Sequence, residues 1–507
     1  MSQSTLSPSS LEDGKHQASE DKTYQAEPAN GRHVESNDED DGAATEEKAV
    51  DEPPAPAPAP PMAYPKGIEV LFIMLALILS ITLISLDQTI VATAIPKITD
   101  EFKRLDDISW YGSAYFLTLG AFQSMWGKVY KYYPLKMSFL VAIFIFELGS
   151  LICGVAQNSM TLIVGRAISG LGASGIAPGV YTISAFSAEP TKRATYTGVI
   201  GASYGIAAVA GPLIGGGLTN ASSWRWCFYI NLPIGGLAAF VIFLTFKNPP
   251  AAKVVQATFK EKLLHMDFAG TTLVMGASLA LLLALQYAGV SHAWNSSVVI
   301  EIWQGERAML TPRLMLSTTV ATFGSGKAIT KTGVAAPYLV VSSAIVTIAA
   351  GLLYTLGVGS STGHWVGYQM LAGFGYGLAL QVPVIISQAF SEPADIAPTT
   401  AIIIFARSLG GTFLLAAAQS AFVNQLVHKL TVTAPGVSPD LVTNTGATEL
   451  HHVFSGAERD GVIEAYAWGI KVAFATTIAA CGITFPFSLL TKWENVNAKK
   501  EPAKGSA

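Results

Sequence analysis

Three ionisable residues interrupt apolar stretches of this chain at positions where acid–base chemistry could take place. Asp87, Glu147 and Arg166 each lie in a run of mostly apolar residues long enough to cross a membrane. A charged side chain at the bilayer centre costs about 2.5–3.5 kcal/mol on insertion scales, so such residues are functional candidates by default. A carboxyl group beside an arginine ionises readily, whereas one in apolar surroundings holds its proton. Asp87 and Glu147 are therefore candidate proton carriers, and Arg166 is a candidate modulator.

Glu147 and Arg166 are predicted to lie at similar depths in consecutive spans, within about 5 Å along the helix axis, so they could pair. Two alternatives stay open. Each residue could belong to a structural ion pair, and Asp87 could be a helix-end group that is hydrogen-bonded to the backbone.

Other polar residues in or near the apolar runs are candidates for contact with a substrate: Gln123, Tyr204, Gln381 and Arg407. Hydrogen bonding between helices is the alternative role for the neutral groups. Arg407 could attract an anionic substrate group, or it could form a structural salt bridge.

The stretch 198–216 reads GVIGASYGIAAVAGPLIGG and combines glycines with a proline inside an apolar run. Glycine lets a neighbouring helix approach to backbone contact. Proline removes a hydrogen bond of the helix and kinks it. We therefore predict a closely packed, bendable helix whose critical positions are Gly198, Gly211, Pro212, Gly215 and Gly216.

Composition places the chain among polytopic membrane proteins. Half of its 507 residues are hydrophobic, 13% are charged and the mean hydropathy is +0.42, whereas a soluble domain is typically about a quarter charged. Residues 1–64 are acidic and proline-rich, and we expect a disordered cytosolic tail there. The three cysteines lie within or at the edge of predicted spans, and no metal-ligand spacing is present, so we expect neither a metal nor a cofactor.

Eleven complete spans are predicted from runs of roughly 20 mostly apolar residues: 68–92, 109–127, 137–156, 159–180, 196–217, 228–246, 268–289, 335–357, 364–387, 398–420 and 466–489. Lysine and arginine are concentrated in alternate short loops, which predicts that these loops and both chain ends are cytosolic. A chain with both ends on one side of the membrane must cross it an even number of times. The odd number of eleven predicted spans therefore indicates an irregularity between Tyr287 and Gly333. There, Leu314 to Phe323 is apolar but only about 15 Å long as a helix.

Two sequons fall on the outer side in this topology, at Asn220 and Asn295. Both are candidate glycosylation sites, although Asn220 lies close to the predicted membrane boundary.

Several motifs resemble the fourteen-span drug:proton antiporters of the major facilitator superfamily, in the matching order. The 198–216 stretch is similar to the antiporter motif of the fifth span, with Ala207 in place of one glycine. LDQTIVATAIP from Leu86, GRAISGLGASG from Gly165 and WRWCFYINLPIGG from Trp224 resemble motifs of spans 1, 4 and 6. WQGERAML from Trp303 and GYQMLAGFGYGLALQVP from Gly367 resemble fungal efflux pumps of toxins and secondary metabolites, of the aflatoxin-pump type.

The chain departs from that family pattern in two places. In the loop after span 2, Lys131 replaces the usual aspartate, so the role of that aspartate cannot be transferred. The eighth and ninth spans and most of the tenth are also expected to be missing. The predicted fold is therefore an all-α membrane protein with an intact N-terminal six-helix bundle (65–247), a cytosolic linker, extra span and truncated segment (248–332), C-terminal helices (333–490) and a cytosolic tail (491–507).

The resemblance implies a proton-coupled exporter of a hydrophobic small molecule, with substrate, protons and membrane lipid as its partners and a monomeric state. We expect it in the plasma membrane, with the vacuolar membrane as the alternative. No P-loop, HExxH or GxSxG motif is present, so no enzyme is predicted, and the short basic loops do not indicate nucleic-acid binding. A siderophore or amino-acid carrier and a non-transporting truncated form are the alternative functions.

Overall fold

The computed structural model of this chain describes residues 64–65, 67–104, 107–250, 252, 254–277, 311–357, 359–444 and 450–497. The predicted tail over residues 1–63, the sequon at Asn295 and the end of the chain after residue 497 lie outside the described residues. The chain divides into one unit over residues 1–60 and a second over residues 61–507, and the second unit contains every helix discussed below.

Six long helices form the first half of this unit, as the apolar runs predict: α1 (Ile68–Phe102), α2 (Ile108–Tyr132), α3 (Leu135–Gly154), α4 (Ser159–Ser187), α5 (Arg193–Ala221) and α6 (Trp226–Thr245). Helix α4 packs against both α2 and α3, and α1 packs against α5 and α6. Their apolar side chains meet in two hydrophobic clusters that run through this half.

Five long helices form the described part of the second half: α7 (Thr311–Thr332), α8 (Ala336–Thr355), α9 (Thr362–Phe390), α10 (Ile396–Thr433) and α11 (Gly456–Leu489). Helix α9 is interrupted at Leu380 and Gln381. The two halves meet where α7 packs against α5 and where α10 packs against α2 and α4.

Eight of the described helices are long and apolar enough to cross a membrane by length and composition alone. The other three long helices, α2, α7 and α10, all take part in the contact between the two halves. Helices at such an interface bury polar side chains against each other, so their average hydropathy is lower than that of helices that face lipid on one side.

Helix α7 corrects the prediction that only half a span is present near Leu314. The helix has 22 residues, which is about 33 Å and enough to cross a bilayer. Hydropathy did not predict the full length of α7 because the second part of this helix is rich in serine, threonine and glycine. Those groups are buried between helices: the Oγ1 atoms of Thr318 and Thr322 donate to the carbonyl oxygens of Gly373 and Gly377 on α9 at 3.0 and 3.1 Å.

The predicted span 268–289 is helical over its described part, residues 268–277, and the remainder lies outside the described residues. A crossing there, together with the eleven long described helices, would give twelve. The basic loops place both chain ends on one side, which requires an even number of crossings. The span 268–289 therefore stays a prediction that the topology supports. We call the helix ends beside the lysine-rich loops the basic side and the opposite ends the outer side.

Candidate functional site

Asp87 and Arg166 form a buried ion pair between α1 and α4. Their Oδ2 and Nη1 atoms are 2.6 Å apart, and the two side chains are 0% and 1% exposed. Arg166 also donates through Nε to the carbonyl oxygen of Tyr111 at 2.9 Å, and its guanidinium lies 4.4 Å from the centroid of the Tyr115 ring. A charged pair can be buried at this depth because neighbouring groups satisfy its remaining hydrogen-bonding capacity.

Asn231 extends this pair to α3 and α6. Its Nδ2 atom donates to Asp87 Oδ1 and to Ser150 Oγ, each at 3.1 Å. Asn231 is fully buried and belongs to the INLPIGG segment of α6. Sequence reasoning did not identify Asn231 or Ser150, although a lone asparagine inside an apolar run is a signal that could have done so.

Glu147 does not pair with Arg166, and this sequence-based prediction is wrong. Both carboxylate oxygens of Glu147 are buried and have no hydrogen-bond partner among the described residues, and the side chain lies against Gly235 of α6. Glu147 is one helical turn before Ser150, and Gly235 is one turn after Asn231. The depth of Glu147 was predicted adequately, but its direction around the helix axis was not, because Asp87 takes the position next to Arg166.

These four helices therefore hold two carboxyl groups in contrasting surroundings about one turn apart. Asp87 has a cation and an amide as partners, whereas the carboxylate of Glu147 lies against the bare backbone of Gly235. An unpartnered carboxylate is costly to bury, whereas its protonated form is much less so. A proton on Glu147 would remove that cost.

The glycines of α5 divide between two neighbouring helices. A Cβ atom at Gly198 would lie 3.1 Å from the carbonyl oxygen of Thr322 and 3.2 Å from Cα of Gly326, both on α7. A Cβ atom at Gly211 would collide with Thr89 of α1, and one at Gly215 would collide with Ile90 and Thr93 of the same helix.

Gly216 has nothing within 4 Å of a built Cβ atom, and Pro212 is exposed. The predicted close packing thus exists at three of the four motif glycines. The structure does not support a packing role for Gly216 among the described residues.

A second polar cluster lies between the two halves, around Tyr181 of α4. Gln381 of α9 donates through Nε2 to the Tyr181 hydroxyl at 3.1 Å. Ile404, one helical turn before Arg407 on α10, is buried in the same hydrophobic cluster as Tyr181. Tyr204 of α5 packs against that cluster, and Tyr376 lies five residues before Gln381 on α9. We call Tyr181, Tyr204, Tyr376, Gln381 and Arg407 the central cluster.

The central cluster brings together three of the four residues proposed from sequence as contacts for a substrate. The fourth, Gln123 of α2, is 1% exposed and its Oε1 atom has no hydrogen-bond partner. Tyr181 was missed because tyrosine in an apolar run is usual in membrane helices and carries no distinctive signal. The alternative that Arg407 forms a structural salt bridge has no support among the described residues, where no ion pair includes it.

Contacts on the basic side hold the two halves together. Lys131 at the end of α2 is 2.6 Å from Asp395, which directly precedes α10. The hydroxyls of Thr195 on α5 and Thr330 on α7 are 2.7 Å apart. Lys131 is the residue that replaces the usual aspartate in the family motif, and the structure gives it an acidic partner in the other half.

The two predicted glycosylation sites have different outcomes. Asn220 lies in the last turn of α5, on the outer side, and is exposed. Its modification stays a prediction, and Asn295 is not among the described residues.

Comparison with known proteins gives consistent matches. The sequence matches the Major Facilitator Superfamily over residues 77–415. It is 48% identical to the MFS-type transporter thnB of Trichoderma harzianum over 84% of this chain and 85% of that protein. It is 42% identical to the probable efflux pump gsfJ of Penicillium aethiopicum over 87% of this chain and 91% of that protein.

The fold also matches the xylose transporter XylE from E. coli in its partially occluded inward open conformation. The TM-score is 0.52 at 10% identity, with 83% of this chain and 98% of that chain covered. At this level of identity the likeness concerns the fold alone.

The alignments also reveal a difference in length. The alignment with the Trichoderma harzianum protein has 491 positions but covers only 84% of the 507 residues here, which is about 426 residues. Roughly 65 positions of the relative therefore have no counterpart in this chain, which is enough for about two helices of about 20 residues with their loops. The Penicillium aethiopicum alignment shows the same pattern, with 509 positions over 87% of this chain.

Proposed function

Because the chain belongs to the major facilitator superfamily, we propose that it exports a hydrophobic small molecule, a fungal secondary metabolite, in exchange for protons. The family predicted from the motifs is confirmed, and the chain is a transporter rather than an enzyme. Coupling to protons, the fourteen-span branch and the plasma membrane as its location are parts of the proposal.

The unpartnered carboxyl group of Glu147 beside the Asp87–Arg166 pair is the observation that carries the proposal. The carboxylate oxygens of Glu147 are buried with no hydrogen-bond partner in the described part of the chain, and Arg166 is already neutralised by Asp87 at 2.6 Å. Glu147 is therefore the group whose surroundings favour a bound proton in this conformation, and Asp87 with Arg166 forms a fixed polar neighbour. Opening of the bundle would hydrate Glu147 and release its proton.

The close contacts on the basic side indicate how opening would occur. The Lys131–Asp395 ion pair and the Thr195–Thr330 hydrogen bond join the two halves near that side. Transporters of this architecture work by rocking one bundle against the other around a central site. Breaking these contacts would expose the central cluster to the cytosol, and re-forming them would close it.

The test is transport by the full chain in proteoliposomes with an acidic lumen, using rhodamine 6G and sulforhodamine B as aromatic probes. We expect transporter molecules inserted with the basic side outward to accumulate at least one dye in the vesicle lumen. Glu147→Gln should lose gradient-driven accumulation but keep dye exchange without a gradient, because a neutral amide cannot release a proton. Glu464→Gln is the matched control, since Glu464 pairs with Lys429 at 3.1 Å on the outer side and is 63% exposed. Unchanged accumulation in Glu147→Gln would show that Glu147 is not the residue that couples transport to protons.

A non-transporting form is the second candidate function, and the length difference from the relatives favours it. Roughly 65 positions of the relative are absent here, about the length of two helices of about 20 residues with their loops. Reconstituted protein that is folded but moves neither dye, with or without a gradient, would support this candidate. Imaging of the tagged chain against plasma-membrane and vacuolar markers tests its location.

A further inference from the structure

Arg407 is a cation within a long helix of the second half, and no ion pair includes it among the described residues. Arg166, by contrast, has Asp87 at 2.6 Å. Arg407 is also exposed, whereas Arg166 is fully buried. A charged side chain in a membrane segment whose described surroundings contain no counter-ion is available to an ion from outside the chain.

The neighbours of Arg407 come from three other helices and both halves of the fold. Ile404, one turn before Arg407 on α10, is buried in the hydrophobic cluster that contains Tyr181 of α4, and Tyr204 of α5 packs against that cluster. Gln381 of α9 is hydrogen-bonded to Tyr181 at 3.1 Å. Thr400, two turns before Arg407, is also fully buried. Arg407 therefore lies on the face of α10 that packs against the other helices.

We propose that the central cluster binds an aromatic substrate that carries an anionic group, with Arg407 as the partner of that group. The proposal rests on the proposed export function and adds the substrate class. A guanidinium presents two parallel N–H donors that fit the oxygens of a carboxylate or sulfonate, and such charge-assisted bonds are stronger than neutral ones. A cationic substrate would instead meet an unscreened positive charge.

The remaining members of the central cluster specify further features of the substrate. The Tyr181 hydroxyl accepts a hydrogen bond from Gln381 Nε2 and donates to no described residue. Gln381 Oε1 has no hydrogen-bond partner in the described part of the chain. Both side chains are 2% exposed, so a ligand oxygen and a ligand hydroxyl could bond to them once the two halves move apart. Tyr376 is 50% exposed and Tyr204 is half-buried, so their ring faces can stack on an aromatic ring. An acidic, hydroxylated aromatic compound satisfies all these groups together.

The experiment compares two dyes that share an aromatic core and differ in charge. Sulforhodamine B is anionic and rhodamine 6G is cationic, and neither changes its charge between pH 6 and pH 8. Binding to the full chain in nanodiscs is measured by fluorescence anisotropy without a proton gradient, so the result does not depend on transport. The variants are Arg407→Gln and Arg407→Lys, and the control is Arg459→Gln, which removes an outer-side arginine that is 41% exposed.

We expect wild-type protein to bind sulforhodamine B more tightly than rhodamine 6G. Arg407→Gln should weaken sulforhodamine B binding at least ten-fold and leave rhodamine 6G unchanged or tighter, and Arg407→Lys should retain most of the preference. Arg459→Gln should behave as wild type. The proposal is overturned if wild-type protein prefers rhodamine 6G, if it binds neither dye, or if Arg407→Gln keeps the preference. If accumulation in proteoliposomes fails while the charge preference holds, the proposed export function is wrong and the anion site stands.

Discussion

The hydroxyl of Tyr204 donates to Gln88 Oε1 at 2.7 Å, and Gln88 directly follows Asp87 on α1. A second bond joins the same two helices, since Ser85 Oγ donates to the carbonyl oxygen of Tyr204 at 2.8 Å. Tyr204 belongs to the central cluster, and Asp87 belongs to the buried ion pair. The candidate substrate site is thus separated by one hydrogen bond and one residue from the ion pair beside Glu147, the candidate proton carrier, so a shift of α5 is transmitted to the turn that carries Asp87.

Tyr204→Phe should uncouple substrate binding from pH, because it removes the bond to Gln88 and keeps the aromatic ring. Exchange of a substrate for protons requires protonation to weaken substrate binding, and coupling between sites typically amounts to about 5- to 150-fold in affinity. We therefore expect sulforhodamine B to bind wild-type protein at least about five-fold more weakly at pH 6 than at pH 8. In Tyr204→Phe the two affinities should nearly coincide.

Anisotropy titrations of the two proteins at both pH values make this measurement. Tyr354→Phe is the control, since Tyr354 is an exposed tyrosine in the last turns of α8. A Tyr204→Phe variant with the full wild-type pH effect would show that the Tyr204–Gln88 bond does not connect the two sites.

The Asp87–Arg166 pair should show strong energetic coupling in a double-mutant cycle. Removal of one partner leaves the other charge buried without compensation, which typically costs about 3–5 kcal/mol. Asp87→Asn and Arg166→Met should each lower the thermal unfolding temperature markedly. The double variant should be more stable than the sum of the two effects predicts, because no uncompensated charge remains.

Thermal unfolding of the purified variants, followed by tryptophan fluorescence, makes the comparison. The exposed Lys429–Glu464 pair serves as the reference, because a surface pair contributes about 0–1 kcal/mol. Simple additivity at Asp87 and Arg166 would mean that the two charges are stabilised independently by other groups.

The sequence allowed prediction of the depth of each polar group, but not of its direction around the helix axis. Glu147 and Arg166 have similar depths, yet Asp87 pairs with Arg166 because the packing of α1 against α4 orients it there. Hydropathy predicted the helices that face lipid and failed at α7, where Thr318 and Thr322 are buried against α9. Arg407 was identified from its intramembrane position, whereas its tyrosine partners become visible only when α4, α5 and α9 are assembled around it.

The glycines of α5 should differ in their tolerance of substitution, although the motif treats them as equivalent. Gly211→Val should abolish export, because the new side chain would collide with Thr89 and push α5 from α1. Gly216→Val should keep most of the activity, since a Cβ atom there meets nothing within 4 Å. Both changes carry the same cost of introducing a β-branched residue into a helix.

Dye accumulation in proteoliposomes, normalised to the amount of inserted protein, separates the two variants. Equal loss of activity in both would mean that flexibility of the helix, rather than close approach of α1, is the property that the motif provides.

Reversing the charge of only one residue of the Lys131–Asp395 ion pair should impair transport. Lys131→Asp would place two carboxylates opposite each other at a contact where nitrogen and oxygen are now 2.6 Å apart. The closed arrangement of the basic side would lose the ion pair that joins α2 to α10, so the transport cycle should slow several-fold. The double variant with Asp395→Lys restores opposite charges and should recover much of the rate. Recovery should be incomplete because Asp395 also precedes α10, where a negative charge suits the helix dipole and a positive one does not.

Disulfide formation between Thr195→Cys and Thr330→Cys reports closure of the basic side in each background, since the two hydroxyls are 2.7 Å apart. We expect cross-linking to fall in Lys131→Asp, to return in the double variant, and to arrest transport until a reductant is added. Lys192→Asp is the matched control, because Lys192 pairs with Glu189 on the same side but within one half. A transport rate in Lys131→Asp equal to that of Lys192→Asp would show that the Lys131–Asp395 pair has no role in closing the basic side.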